Sequence, residues 1–444
     1  MGATLTLAKF ASEFETDAIP TDVLHASERC FLDYLGVTLA AWEEPTVEII
    51  RSLALDLGGN AQASLLGGGM TSLTNAALVN GVASHVLDFD DTHDPTILHG
   101  TGPVMSAALA VGQWMGVSGR ALMAAHSIGF DVAARVALAV HPEHYDQGFH
   151  VTGTAGTLGA AAAAGRLLGL DSNQMINALS AAAAQAAGLR EMFGSMTKSL
   201  HAGKAAANGV LSALLAKRDW VSAAAGLEGV RGYWSVLSQK SDVDRALAGL
   251  GTTWELLNDG FKPYACGVVT HPTIDAVAAL ARSAALPASE VASIHCWVNP
   301  YVLELTGKRE PTTGLEGKFS IYHCAAVGYL DGTARLRQFS DDAVGRADVV
   351  ALRSLVQAEI DPNLPTSAAR VTLTARSGQS WTEIVTAATG TPGNPMADSA
   401  VREKFLDLAE ERLGRLTADQ VADEALSTAR LPEVRSLIAR ITGF

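Results

Sequence analysis

Residues 151 to 170 read VTGTAGTLGAAAAAGRLLGL, a run dominated by Gly, Ala and Thr. Side chains this small let a helix approach its neighbours closely, so the volume around it must be filled by other helices. The run predicts a central, tightly packed helix rather than a surface one. Apolar segments at 103–115 and 119–140 read as further helices, and 72–91 looks helical into a cluster of acids. Upstream, TDVLHASERCFLDYLGVTLAA places Val23, Leu24, Cys30, Phe31, Tyr34 and Leu35 near a three-to-four repeat, with Thr21 or Asp22 as N-cap. SLLGGGMTS (64–72) lacks the spacing of a phosphate-binding loop and reads as a turn. Residues 141–148 read as a polar loop, and Asp171 caps a helix running to 187. A helix from about Ser199 sets His201 and Lys204 one turn apart on one side.

The character changes after Lys262. VASIHCWVNP (291–300), ARVTLTARS (369–377) and SWTEIVTA (380–387) are rich in β-branched residues and read as strands, the last two joined by a hairpin at SGQ. Helices at about 273–285, 319–331 and 348–357 fall between them, which gives an α+β domain. From Ala400 the helical pattern returns, as a tail folding back on the first domain. The chain has 444 residues, more than the ~250–300 that one core sustains. The expected fold is mainly α, with a large all-helical domain (1–262 plus 400–444) and a smaller inserted α+β domain (263–399).

A net charge of −14 argues against nucleic acid and anionic membrane surfaces as partners. The cysteines Cys30, Cys266, Cys296 and Cys324 form no CxxC pair, which suits a reducing compartment and offers no zinc spacing. Lys9, Glu13 and Glu15 interrupt the first apolar residues, and no run reads as a membrane span. A soluble, cytoplasmic protein is expected.

The chemistry concentrates at HVLDFDDTHDPTILHGTGPV (85–104), where Asp88, Asp90, Asp91 and Asp94 mix with His85, His93 and His99 between apolar segments. Three readings stand. Asp90, Asp91 and Asp94 match the DDxxD pattern that holds magnesium-diphosphate in helical isoprenoid synthases, though no second metal motif accompanies it. A charge run also serves simply to cap a helix and pair with surface lysines. The third reading is a catalytic cluster, since carboxylates beside imidazoles in an apolar setting push pKa values apart. Further candidates are His150 at a helix start, the cations Arg190, Lys198 and Lys204, Lys262 in DGFKPYACG, and Tyr322 and His323 in KFSIYHCAAVGYLDG.

Taken in order, FDDTHDPTILHGTGPV, GFHVTGTAGTLGAAAAAGRLLGL, MTKSLHAGKAAANGVLSALLA, DGFKPYACGVVTHPTIDA and KFSIYHCAAVGYLDG resemble the successive motifs of the MmgE/PrpD family, from about residue 10 to 430. That family includes 2-methylcitrate dehydratase, cis-aconitate decarboxylase and iminodisuccinate epimerase. The resemblance implies a homodimer, no organic cofactor and a small polycarboxylate substrate, and no metal is expected. It also implies that Asp88, Thr92, His99, His150, Lys198 and Lys262 line the site. Two positions depart from the decarboxylase pattern: Gly267 stands in place of a histidine, and His323 in place of a tyrosine, with Tyr322 adjacent.

Family reactions make or quench a carbanion beside a carboxylate, so the expected roles follow. Lys198 and Lys262, with Lys204 or Arg190, hold substrate carboxylates, and Thr92 adds a hydrogen bond. His99 and His150 form the acid/base pair, Asp88 orients an imidazole, and His323 or Tyr322 delivers a proton on the opposite face. A dehydratase of the 2-methylcitrate type is the leading expectation. An epimerase or a decarboxylase stands as the alternative, and a non-catalytic helical module as a remote one.

Overall fold

The computed structural model describes residues 2–443. The chain forms two compact units, one comprising Met1–Gly260 with Ala397–Phe444 and the other Phe261–Met396. It is mainly α-helical, and among the described residues the one sheet of more than two strands lies in the second unit.

The first unit opens with helices α1 (Ala3–Glu13), α2 (Thr21–Ala40), α3 (Pro45–Leu57), α4 (Leu73–Val86), α5 (Thr101–Met115) and α6 (Gly119–Leu138). It continues with α7 (Glu143–Asp146), α8 (Val151–Leu167), α9 (Ser172–Ala183) and α10 (Thr197–Ala216). The small-residue run is α8, which packs among α5, α6 and α10; every residue from Val151 to Gly165 is buried. The reason is visible at the glycines. A Cβ on Gly159 would lie 2.5 Å from the Gly129 carbonyl oxygen of α6, and one on Gly209 of α10 would lie 2.4 Å from Ala160 Cβ. The same holds between α4 and α10, where a Cβ on Gly81 would meet Gly203 Cα at 2.8 Å. Backbones touch at these crossings.

Helix α6 is long and apolar enough to cross a membrane by length and composition, and nearly all of it is buried inside this unit. It carries the buried Asp131–Arg135 pair. Arg135 also donates to the carbonyls of Ala246, Ala248 and Thr253, which fastens the 246–253 segment to the helical body. Helices Asp398–Leu413, Arg415–Ala425 and Arg435–Thr442 form the returning tail, and Lys404 pairs with Asp33 of α2 at 2.7 Å.

The second unit holds a four-stranded sheet ordered Val356–Ile360, Val291–Val298, Ala369–Ala375, Ser380–Val385. The first two strands are parallel and the remaining pairs antiparallel. Ala369, Val371, Leu373 and Ala375 bury one face, under the helix His271–Ala284.

Some local expectations differ from the structure. The 141–148 segment contains α7, which buries His144 and Tyr145. The N-cap of α2 is Pro20, with no side-chain cap bond. Helix Ala347–Arg353 stops short of 357, and Val356–Ile360 is an edge strand in which only Val356 is buried, so it lacks the alternation that marks a strand.

Replacing Gly159 by Ala forces a methyl into the α6 backbone, and overpacking of this kind costs ~1–3 kcal/mol. Urea unfolding of the variant is expected to show that loss. An unchanged midpoint would mean that the crossing is not tight.

Candidate active site

Helix α4 ends at the acidic stretch. His85 lies in its last turn, Leu87 caps it, and Asp88 follows with a left-handed backbone (φ +53). Aspartate tolerates this conformation better than most residues. Ile97, a β-branched residue, also sits at positive φ (+59), so the loop that carries His99 is strained. Cross-links hold it in place. His93 receives the Thr96 hydroxyl on one ring nitrogen at 2.8 Å or donates to it, and its other nitrogen reaches Glu255 at 3.2 Å. The His99 amide donates to Thr152 Oγ1 of α8, and Thr92–His93 pairs with Asp259–Gly260.

These constraints converge on a row of imidazoles. The rings of His85 and His99 are 4.7 Å apart, those of His85 and His150 5.5 Å, and those of His150 and His201 5.2 Å. Asp90 Oδ2 lies 2.7 Å from His85 Nδ1 and 3.4 Å from His99 Nδ1. His99 Nδ1 also lies 2.8 Å from the Asp91 carbonyl oxygen and 3.3 Å from Thr92 Oγ1. Lys198 Nζ donates to Asp88 Oδ1 at 2.8 Å and lies 5.4 Å from the Phe193 ring, whose edge packs against His150. Asp88, Thr92, His99, His150 and Lys198 are thus gathered in one buried region.

The electrostatics are uneven. Burial, reinforced by His85, Lys198 and His99, holds His150 well below the usual imidazole range. Burial likewise pushes His201 down to about 4, with help from His85 and Lys198. Both rings are neutral at pH 7. A second cluster, of carboxyls, lies nearby in the fold. Asp91 faces Asp259 and Cys30, and burial raises Asp91 to about 7 against hydrogen bonds from Asp259 and Thr101. Burial and the Asp91 charge hold Asp259 well above the carboxylate range, so this pair shares a proton. Lys404 anchors the same stretch from the tail, donating to the Phe89 carbonyl at 2.7 Å over the Phe89 ring.

Two groups bring metal-capable atoms within 4.8 Å of one another, His85 with Asp90 and His99, and Cys30 with Asp91 and Asp259. The DDxxD reading fails on direction. Asp90 turns to His85, Asp91 turns to Asp259 and Cys30, and Asp94 is exposed, so the motif's carboxylates do not converge on one diphosphate.

Several expected roles shift. The carboxylate that holds imidazoles is Asp90, while Asp88 accepts from Lys198. Thr92 Oγ1 lies against His99. Arg190 lies 4.0 Å over the Tyr145 ring and donates to the Tyr145 carbonyl, which ties it to α7 rather than to a substrate. Lys204 is exposed and lines, with His201, Gln185 and Asn208, a separate cavity of about 350 Å³.

Lys262, Tyr322 and His323 belong to the second unit. Lys262 is buried, and Arg309 lies 4.8 Å over the Tyr322 ring. His323 bonds the Gln338 carbonyl through Nε2 at 2.8 Å and packs its ring on Phe339. Burial pushes it down to about 4, so it reads as an interior histidine of that unit rather than a proton donor. A Cβ on Gly267 would lie 3.2 Å from Thr306 Cγ2, so a larger side chain there would press on that methyl.

Residues 5–246 match the model of the MmgE/PrpD N-terminal domain, and 264–428 that of the MmgE/PrpD C-terminal domain. The chain belongs to the MmgE/PrpD family. It is 26% identical to the cis-aconitate decarboxylase of Aspergillus terreus (strain NIH 2624 / FGSC A1156), over 98% of this chain and 95% of that protein. It is 28% identical to the Homo sapiens cis-aconitate decarboxylase, over 90% and 86% of the two chains. Against the cis-aconitate decarboxylase-like protein oryM of Aspergillus oryzae the identity is 25%, over 99% and 97%.

The raised carboxyl pair has a consequence for stability. A carboxyl whose folded pKa exceeds its unfolded value of ~3.9 binds its proton more tightly when folded. Its stabilisation is complete below the unfolded value and is lost as pH rises through about 7. Asp91→Asn removes this loss, so its melting temperature is expected to fall less than that of the wild type between pH 5 and 8. Parallel profiles would contradict a shared buried proton.

Proposed function

We propose that this chain is a lyase acting on a small polycarboxylate, with decarboxylation of cis-aconitate as its leading reaction and dehydration of a 2-methylcitrate-like acid as the second reading. The observation that carries the proposal is the gathering of Lys198, held by Asp88, with the imidazole row of His99, His85 and His150, in a family member whose relatives are named cis-aconitate decarboxylases. The second reading is favoured by Gly267 and His323, the two departures from the decarboxylase pattern.

Both reactions pass through the same difficulty. When cis-aconitate loses CO₂, the electrons of the broken C–C bond form an allylic carbanion conjugated with a remaining carboxylate. One proton then quenches it. In dehydration a base first removes a proton beside a carboxylate, and hydroxide leaves from the adjacent carbon with a proton from an acid. Either way negative charge grows on a carboxylate, and an ammonium in a water-poor setting stabilises it more strongly than water does.

Lys198 serves that purpose. Its contact with Asp88 keeps it positioned until a substrate carboxylate competes for it. His150, kept neutral by burial, accepts a proton, and His99, beside Asp90, supplies one. The presence of both imidazoles suits either outcome.

The test incubates the purified protein with cis-aconitate, 2-methylcitrate and an aminodicarboxylate in D₂O, followed by NMR. Release of CO₂ with one deuterium incorporated supports the leading reading, and loss of water from the second acid supports the alternative. Deuterium exchange without either product would instead indicate an epimerase and overturn both. His150→Ala and Lys198→Ala are each expected to lower turnover by ~10² or more, the usual scale for such groups. Wild-type rates in both variants would refute the assignment.

A further inference from the structure

His150 is buried, and its Nδ1 lies 3.0 Å from Nδ1 of His201. A contact between two ring nitrogens holds one hydrogen, so one ring must donate and the other accept. The fold makes room for this contact. Gly188 has φ +153, and a Cβ there would lie 3.3 Å from His201 Nδ1; a Cβ on Gly153 would lie 3.0 Å from His201 Cβ and 2.4 Å from the Ala187 carbonyl oxygen. The Gly188 carbonyl accepts from the His150 amide at 3.0 Å, which fixes the start of α8 against the same segment.

The two rings differ in surroundings. His150 is packed between the His85 ring and the Phe193 edge. His201 is half-buried and borders the cavity that also holds Lys204, Gln185 and Asn208. The charged and titratable groups around the pair are His85, His99 and Lys198 on the inner side and Lys204 on the outer. A neutral His201 that keeps its own hydrogen on Nε2 offers the Nδ1 lone pair to His150.

We infer that His201 is the positioning residue that sets the tautomer of His150, accepting its Nδ1–H so that Nε2 is left as the atom that takes up and returns the substrate proton. This deepens the proposed function, since it rests on His150 as a proton carrier. The proton balance is simple. His150 Nε2 gains a hydrogen from the acid or gives one back, while the Nδ1–H bond to His201 persists through both steps. A carboxylate plays the orienting part in many hydrolases, and here a second imidazole, kept neutral by burial, takes its place.

The experiment uses full-length protein labelled with ¹⁵N-histidine, read by long-range ¹H–¹⁵N correlation at neutral pH, alongside kinetics with the acid that is turned over. Wild-type His150 is expected to show a protonated Nδ1 and an unprotonated Nε2. His201→Leu removes the acceptor, and the His150 signals should move to a mixture of tautomers. Its kcat should fall at least ~10-fold with KM nearly unchanged, as when an orienting group is lost. His201→Asn places an amide oxygen near the position of Nδ1 and should restore both the single tautomer and most of kcat. A wild-type His150 with its hydrogen on Nε2, or a His201→Leu variant with unaltered His150 signals, would overturn the inference. The spectrum needs no substrate, so it decides the matter even if every tested acid proves inert and the proposed function falls.

Discussion

Backbone contact between helices is the constraint from which the rest of the first unit follows. Gly129 with Gly159, Gly81 with Gly203, and Gly209 with Ala160 bring α4, α6, α8 and α10 together with no intervening side chains. Packing this close leaves little freedom of rotation or translation, because any slide drives atoms into a neighbouring main chain. The end of α4 and the start of α8 are thereby fixed relative to each other. His85 and His150 sit at those two ends. The imidazole row is thus a product of where rigid helices stop, and the strained loop through Ile97 spans what remains.

Burial then sorts the charges. The chain carries a net −14, yet the buried aspartates of the 88–91 stretch divide between two sets of partners. Asp88 and Asp90 answer Lys198 and the imidazoles. Asp33, Asp91 and Asp259 form a second set, in which Lys404 supplies a cation and a shared proton reduces the remaining charge. Without that proton, two ionised carboxylates would repel one another in a region with little water, a costly arrangement. The tail helix bearing Lys404 therefore does more than cover a surface. It neutralises part of the acidic stretch from behind, through Asp33 and the Phe89 carbonyl.

Much of this was readable in the sequence where one residue type has one physical use. The Gly and Ala of 151–165 announced a central helix, and the β-branched runs around SGQ a hairpin. The gathering of Asp88, His99, His150 and Lys198 came from the order of several motifs, not from any one of them. What could not be read were relations set by packing between distant segments. Asp90 and Asp88 look interchangeable in LDFDD, and only the left-handed turn at Asp88 sends them to different partners. Arg190 resembles any other cation until Tyr145 is brought beneath it. His201 was visible as a neighbour of Lys204 on α10, but its link to His150 spans 51 positions and depends on room left at Gly153 and Gly188. The edge strand Val356–Ile360 buries too little to show a pattern.

The separation of fixed from movable charge is what such a site needs. A lysine holds its proton at working pH and offers a steady positive field, whereas an imidazole can exchange its proton within one turnover. Under the proposed function, a cationic His150 would compete with Lys198 for a substrate carboxylate and could no longer accept a proton. Crowding it with His85, His99, His201 and Lys198 in a buried setting prevents that, since another positive charge among them is unfavourable. The neutrality of the ring thus follows from the same close helix packing that brings its neighbours near, and under the proposed function proton exchange and anion binding would fall to different side chains within one small volume.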